Sequence, residues 1–194
     1  MIITSYLPNF TTSVFQMRGV AQRLSALGSG PRGRGSKSHR PDVRKKIIAV
    51  IGGAETTKKN LQTAEEVGQI IARRGAILVT GGMGGVMEAA SRGARKENGL
   101  VIGIIPSTDK SSANQYVDIP IVTGMNQARN IIIARTCDCA IAIDGRYGTL
   151  SEIAYCLMFT IPVIGINTWQ IDAPIHHVET AEEAVKKAFE LITK

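Results

Sequence analysis

Cysteine and aromatic residues are both scarce in this 194-residue chain, which has three of the former and 5% of the latter. Cys137, Cys139 and Cys156 are too few, and odd in number, for a disulfide framework; sparse thiols in apolar surroundings fit a reducing compartment. C-x-C without further Cys or His at ligand spacing makes a poor metal site. The alternation reads instead as thiols within a buried strand, and no metal is expected. No apolar run approaches the roughly 18 residues of a membrane span, so no membrane partner is expected and the expected location is cytoplasmic.

Acidic residues are missing from the first part of the chain, where none precedes Asp42. The net charge is +7, from 23 Lys and Arg against 16 Asp and Glu. Nine of the basic residues (Arg18, Arg23, Arg32, Arg34, Lys37, Arg40, Arg44, Lys45 and Lys46) and a single acid fall in residues 1–46, which carry +8. Residues 47–194 hold 14 basic and 15 acidic residues. A near-neutral remainder offers no electrostatic footprint for nucleic acid, and no such partner is expected.

Residues 1–44 read as a basic tail. Ser, Thr, Arg and Gly recur, Gly28–Ser36 is low in complexity, and only Met17–Leu27 has the pattern of a short helix. That composition fits disorder. It equally has the Arg- and Ser-rich, acid-poor character of an organellar transit peptide, which would shift the expected location to an organelle. A start assigned too far upstream and a basic tethering arm are further readings. No secretory pattern is read here, because no apolar core follows a charged start.

Residues 45–194 read as one domain, long enough to bury a core without staples. Ile47–Ile51 is a fully apolar run suited to a strand buried on both faces. After Gly52-Gly53, a helix is expected over Asn60–Arg74, with Leu61, Ala64, Val67, Ile70 and Ile71 at three- and four-residue steps and Gly75 at its end. Further strands are expected at Ala76–Thr80, Leu100–Ile105, Ile119–Val122, Ala140–Ile143 and Pro162–Ile166. Helices are expected from Val86, over Asn126–Thr136, from Thr149 to about Phe159, and from Thr180. Residues 107–118 read as a polar surface loop, a candidate lid, and His176-His177 as part of a solvent-facing loop. Strands alternating with helices at this pitch specify an α/β, Rossmann-like, doubly wound parallel sheet.

Two strand–turn–helix units stand out. Ala76–Thr80 runs into Gly81-Gly82-Met83-Gly84-Gly85, and Ala140–Ile143 runs into Asp144-Gly145-Arg146-Tyr147-Gly148-Thr149. With Gly52-Gly53, these turns fall at strand carboxyl ends, where N–H groups and helix N-termini receive anions. A phosphorylated small ligand is the expected partner. The first turn is no Walker A loop, having no Lys-Ser/Thr, and it does not fit G-x-G-x-x-G. Taken alone it could serve only tight strand-to-helix packing. Thr149-x-x-Glu152 has the spacing of a capping box, as does Thr180-x-x-Glu183. Glu152 is therefore either a cap or, near a ribose, a carboxylate able to stabilise an oxocarbenium-like centre or orient water. Arg129 is either a surface or salt-bridged helix arginine or a clamp for a phosphate or carboxylate. Asp144 either bonds ribose hydroxyls or caps its turn.

Gly81-Gly82-Met83-Gly84-Gly85-Val86-Met87, Arg129, and Gly145 with Gly148-Thr149-x-x-Glu152 together resemble the signature of the Lonely Guy (LOG) superfamily. Its hallmark is G-G-x-x-G-x-M, then an Arg, then P-G-G-x-G-T-x-x-E. The resemblance spans nearly all of residues 46–194. It implies a Rossmann-like homodimer or higher homo-oligomer. In the enzymatic members it implies hydrolysis of a nucleoside 5′-monophosphate to free base and ribose 5-phosphate, with Arg129 and Glu152 as the catalytic pair and no required cofactor. Asp144 and Arg146 replace the Pro and second Gly of the motif, and Gly124-Met125-Asn126-Gln127-Ala128-Arg129-Asn130 is similar to a subgroup that includes molybdenum-cofactor carrier proteins. A non-catalytic carrier of that pterin phosphate, or a nucleotide sensor, is the alternative the resemblance implies.

Overall fold

The computed structural model describes residues 44–193. The expectations for the tail, apart from Arg44, lie outside the described residues. Seven strands form one parallel sheet: β1 (Ile47–Gly52), β2 (Ile77–Thr80), β3 (Val101–Ile105), β4 (Ile119–Val122), β5 (Cys139–Ile143), β6 (Val163–Ile166) and β7 (Ile175–His177). Their spatial order is β4-β3-β2-β1-β5-β6-β7, every neighbour pair parallel. Five α-helices connect them: α1 (Lys58–Arg73), α2 (Val86–Lys96), α3 (Asn130–Thr136), α4 (Tyr147–Met158) and α5 (Ala181–Ile192). None is long and apolar enough to cross a membrane.

The apolar strand runs divide by parity between two layers, as a period of two requires. Ile48 and Val50 of β1 pack with α1, α2 and α5, together with Cys139, Ile141 and Ile143 of β5. Ala49 and Ile51, with Ala140 and Ala142, face α3 and α4. The small residues on this second face of β5 leave room for two helices that carry functional side chains. Strand order reverses between β1 and β5, and in such sheets ligands bind outside the carboxyl ends of the strands at that switch point.

Helix ends largely follow local chemistry. Thr57 caps α1, accepting from the Asn60 N–H at 3.2 Å, and Gly75 (φ 75°) follows its last turn. Thr180 and Glu183 form the reciprocal capping box expected at α5.

Four expectations are corrected. Thr149-x-x-Glu152 is not a capping box, because α4 starts at Tyr147 and places Thr149 in its first turn. Asp144 (φ 54°) and Gly145 (φ 109°) turn the chain over within two residues, so the helix begins three residues earlier than the capping-box spacing suggests. The expected helix Asn126–Thr136 is split into a 3₁₀ turn, Asn126–Arg129, and α3, with Asn126 at φ 49°. Ile175–His177 pairs beside β6 as a seventh strand, although both histidines are exposed as expected. One apolar residue in three is too short a pattern to read as a strand. Cys137 lies between α3 and β5 rather than within a strand, and it is buried in the layer opposite Cys139.

Candidate functional site

A cleft of about 350 Å³ opens at the switch point. Its walls come from the β1–α1 loop, the β2–α2 turn, the 3₁₀–α3 segment and the start of α4. Gly52 lets these walls close on one another: a Cβ there would lie 2.4 Å from the Ile143 carbonyl oxygen and 2.6 Å from Val86 Cγ1. The Val86 N–H donates to the Gly53 carbonyl at 3.0 Å, tying α2 to the first loop.

The Gly81–Gly85 turn is held from within and from the 107–118 loop. Gly82 N–H donates to Thr80 Oγ1 at 3.0 Å, while Asn114 donates its backbone N–H to the Gly82 carbonyl (2.8 Å) and its Nδ2 to the Met83 carbonyl (2.9 Å). The candidate lid is thus pinned to this turn through Asn114. Met83 reaches the cleft, joined by Met87 of α2. Gly81 has another task. A Cβ there would stand 2.5 Å from one guanidinium nitrogen of Arg129 and 2.6 Å from the other, so the absent side chain is what lets Arg129 fit. Gly85 (φ 65°) approaches the Gly53 and Ala54 carbonyls so closely that a Cβ would fall 2.3 Å from the first.

Arg129 closes the 3₁₀ turn and is 5% exposed; Glu152, one turn into α4, is 6% exposed. Arg129 Nη1 and Glu152 Oε1 are 3.5 Å apart, at the outer limit of a hydrogen bond. Burial pushes the Glu152 carboxyl up to about 7, opposed by Arg129, and burial also lowers the guanidinium against the pull of Glu152. A loosely paired, desolvated carboxyl titrating near neutrality suits proton transfer or the stabilisation of developing positive charge.

Asp144, Gly145 and Arg146 form the turn between β5 and α4. Asp144 accepts a hydrogen bond on Oδ2 from Thr56 Oγ1, and its carbonyl accepts from Thr168 Oγ1 at 2.7 Å. Thr56 also accepts from Asn60 Nδ2 (3.0 Å), and Asn60 Oδ1 from Asn167 Nδ2 (3.3 Å). A polar chain therefore fastens three loops at the carboxyl edge. Trp169 Nε1–H donates to the Arg146 carbonyl at 3.2 Å, while the Arg146 side chain is exposed and reaches Glu55 at 3.5 Å. Tyr147 faces solvent and packs on Trp169, with ring centroids 5.8 Å apart. Gly145 accommodates Thr149, whose Oγ1 would be 2.2 Å from a Cβ at 145. No side chain caps α4. Its first N–H groups have no acceptor within the helix, and Gly148 and Thr149 bring that end to the cleft.

The structure thus gathers Gly52, Gly53, Met83, Arg129, Arg146, Gly148, Thr149 and Glu152 around one cleft. Gly81, Gly82, Gly84, Gly85, Asp144, Gly145 and Tyr147 support its walls rather than line it. Sequence reading missed Glu55, Gln127 and Asn130, which also face the cleft. Gln127 and Asn130 did have a visible signal, their place in the Gly124–Asn130 stretch around Arg129. Among the described residues no group of three His, Cys, Asp or Glu could hold a metal ion.

Comparison with known proteins gives the family and the fold. The profile of the SLOG cluster4 family matches residues 45–192. An uncharacterised protein of Archaeoglobus fulgidus is 41% identical over 138 residues, covering 71% of this chain and 91% of that protein. A cytokinin riboside 5′-monophosphate phosphoribohydrolase of Arabidopsis thaliana is 34% identical over 116 residues, covering 57% of this chain and 50% of that enzyme. The chain thus spans only about half the length of this plant relative. The solved structure of the molybdenum cofactor binding protein of Rippkaea orientalis superposes with a TM-score of 0.74 at 37% identity, over 77% of this chain and 99% of that one. The chain belongs to the SLOG cluster4 family of the LOG superfamily, alongside the subgroup that contains molybdenum-cofactor carriers.

Proposed function

We propose that the cleft binds a phosphorylated, heterocycle-bearing small molecule, and that the chain hydrolyses the N-glycosidic bond of a nucleoside 5′-monophosphate. The observation that carries this reading is the buried Arg129–Glu152 pair, with its carboxyl pushed up to about 7. In this reading the open N-terminus of α4 at Gly148 and Thr149 receives the phosphate, and Arg146 turns from Glu55 to add a second cation. Arg129 offsets charge beside the ribose. Ionised Glu152 stabilises the oxocarbenium-like centre as the bond to the base breaks, then takes a proton from the attacking water. The water oxygen bonds to C1′, and the proton passes to the base nitrogen. Base and ribose 5-phosphate result, with no metal or redox step.

A second reading, a carrier of a pterin phosphate, is favoured by one observation. The solved molybdenum-cofactor binding protein matches over nearly its whole length, which the plant hydrolase does not. The same anion-receiving edge would hold that cargo. A homo-oligomer belongs to both readings and is supported by exposed apolar side chains such as Ile119, Ile121 and Met158.

The test is to incubate the full chain with nucleoside 5′-monophosphates and follow released base by chromatography. Base release that disappears on Glu152→Gln supports the hydrolase. Absence of release from every monophosphate, with a pterin bound in the purified protein, selects the carrier.

A further inference from the structure

Arg129 and Glu152 sit on different elements, the 3₁₀ turn and α4, and their nearest nitrogen and oxygen stay 3.5 Å apart instead of closing into a tight bridge. Attraction between opposite charges is strong where water is excluded, so that spacing needs a restraint. Among the described residues, the hydrogen bonds shorter than 3.5 Å that cross from Asn126–Thr136 to α4 all come from one side chain, the buried Asn130.

Asn130 Nδ2 donates to Ser151 Oγ at 2.8 Å and to the Gly148 carbonyl at 3.3 Å. Ser151 Oγ–H donates to the same carbonyl at 2.7 Å, which leaves the Ser151 oxygen to accept and fixes which end of the amide faces α4. In helical geometry the Gly148 carbonyl is also the acceptor for the Glu152 N–H. The three groups form a clamp on the first turn of α4. It adjoins both members of the charged pair, since Asn130 follows Arg129 and Ser151 precedes Glu152.

As pure structure the clamp is a poor solution. Asn130 Oδ1 is buried without a partner, which destabilises a fold, whereas an apolar side chain of similar size leaves no acceptor unsatisfied. An amide retained there exchanges stability for geometry.

We propose that Asn130 and Ser151 are positioning residues that set the spacing between the 3₁₀ turn and α4, and so keep Glu152 loosely paired with Arg129. The inference rests on the reading of that pair as the reacting groups. Asn130 lines the cleft but Ser151 does not, so a change at Ser151 reaches the pair through the clamp. The groups that face the Glu152 carboxyl are Arg129 and, one turn along α4, the Cys156 thiol. The thiol is kept protonated by its hydrogen bond with Cys137 and by burial.

The test is a carbon-detected NMR titration of the Glu152 carboxyl in the full chain, its signal assigned by its loss in Glu152→Gln. Parent, Ser151→Ala, Ser151→Thr and Asn130→Leu are compared. Without the clamp the pair closes or water enters, and either event lowers the carboxyl. The midpoint in Ser151→Ala and Asn130→Leu falls from about 7 by about one pH unit, the worth of one buried hydrogen bond. Ser151→Thr keeps the hydroxyl and titrates with the parent, and Asn130→Leu is at least as stable as the parent in urea. Base release followed in parallel loses about tenfold in kcat in the two clamp-breaking variants, with KM changed less. An unchanged midpoint in Ser151→Ala and Asn130→Leu overturns the proposal, because a merely structural bond alters stability and not the titration of Glu152. If the parent releases no base from any monophosphate, the hydrolase reading fails, while the titration still decides whether the clamp sets the pair.

Discussion

Replacing Glu152 with glutamine should change how stability depends on pH. In the unfolded chain the carboxyl ionises at its ordinary value of 4.5, whereas in the fold burial pushes it up to about 7. Between those values the native state keeps a proton that the unfolded state has released, so stability falls as pH rises. The favourable contribution is fully present below about 4.5 and gone above about 7. With about 1.4 kcal/mol per unit of pKa, the loss is about 3 kcal/mol. Glutamine has nearly the same shape and no charge, so the variant lacks this loss; Arg129 stays protonated throughout and adds no slope of its own. Glu65, Glu97 and Asp109, whose carboxyls are lowered by hydrogen bonds, lose their stabilising contributions at more acidic pH and are common to both proteins. Urea denaturation of parent and Glu152→Gln at pH 5 and pH 8 measures the difference. The parent should lose about 3 kcal/mol relative to the variant between the two, or roughly 6–12 °C in Tm for a domain of this size. Parallel pH profiles would refute the desolvated-carboxyl reading.

Other perturbations separate the walls of the cleft from its chemistry. Gly81→Ala sets a Cβ 2.5 Å from the Arg129 guanidinium, which must move away from Glu152; ligand affinity measured by calorimetry should fall by tenfold or more while the far-UV spectrum is kept. Asp144→Pro cannot adopt φ 54° and also loses the Thr56 bond, so it should unfold at markedly lower urea than Asp144→Asn, which tolerates the left-handed backbone and keeps an acceptor for Thr56. Thr180→Ala removes the α5 cap and should cost about 1 kcal/mol in urea denaturation with no change in ligand binding.

The fold was legible because its central strands are buried on both faces. Ile47–Ile51 and Ala140–Ile143 have no polar interruption, and a parallel sheet needs none. Local spacing failed where tertiary geometry decided. Thr149-x-x-Glu152 and Thr180-x-x-Glu183 have the same spacing, yet only the second caps a helix, because the left-handed Asp144 and Gly145 start α4 early and turn Glu152 toward Arg129. The glycines of Gly81–Gly85 were visible, but their division of labour was not. That Gly81 makes room for a guanidinium 48 residues later is a fact of packing. Asn130 was passed over because its meaning lies in two donors committed to Gly148 and Ser151 and one acceptor left without a partner.

The central claim is that Glu152 does chemistry in a cleft that Arg129 and the start of α4 prepare for a phosphorylated ligand. The most direct measurement is steady-state base release from the best nucleoside 5′-monophosphate by parent and Glu152→Gln, with the nucleotide Kd measured in parallel. Loss of a positioned carboxylate predicts a kcat lowered by about 10²- to 10⁴-fold with Kd changed little. Equal turnover by the two proteins, or nucleotide binding by the parent with no base released, would contradict it.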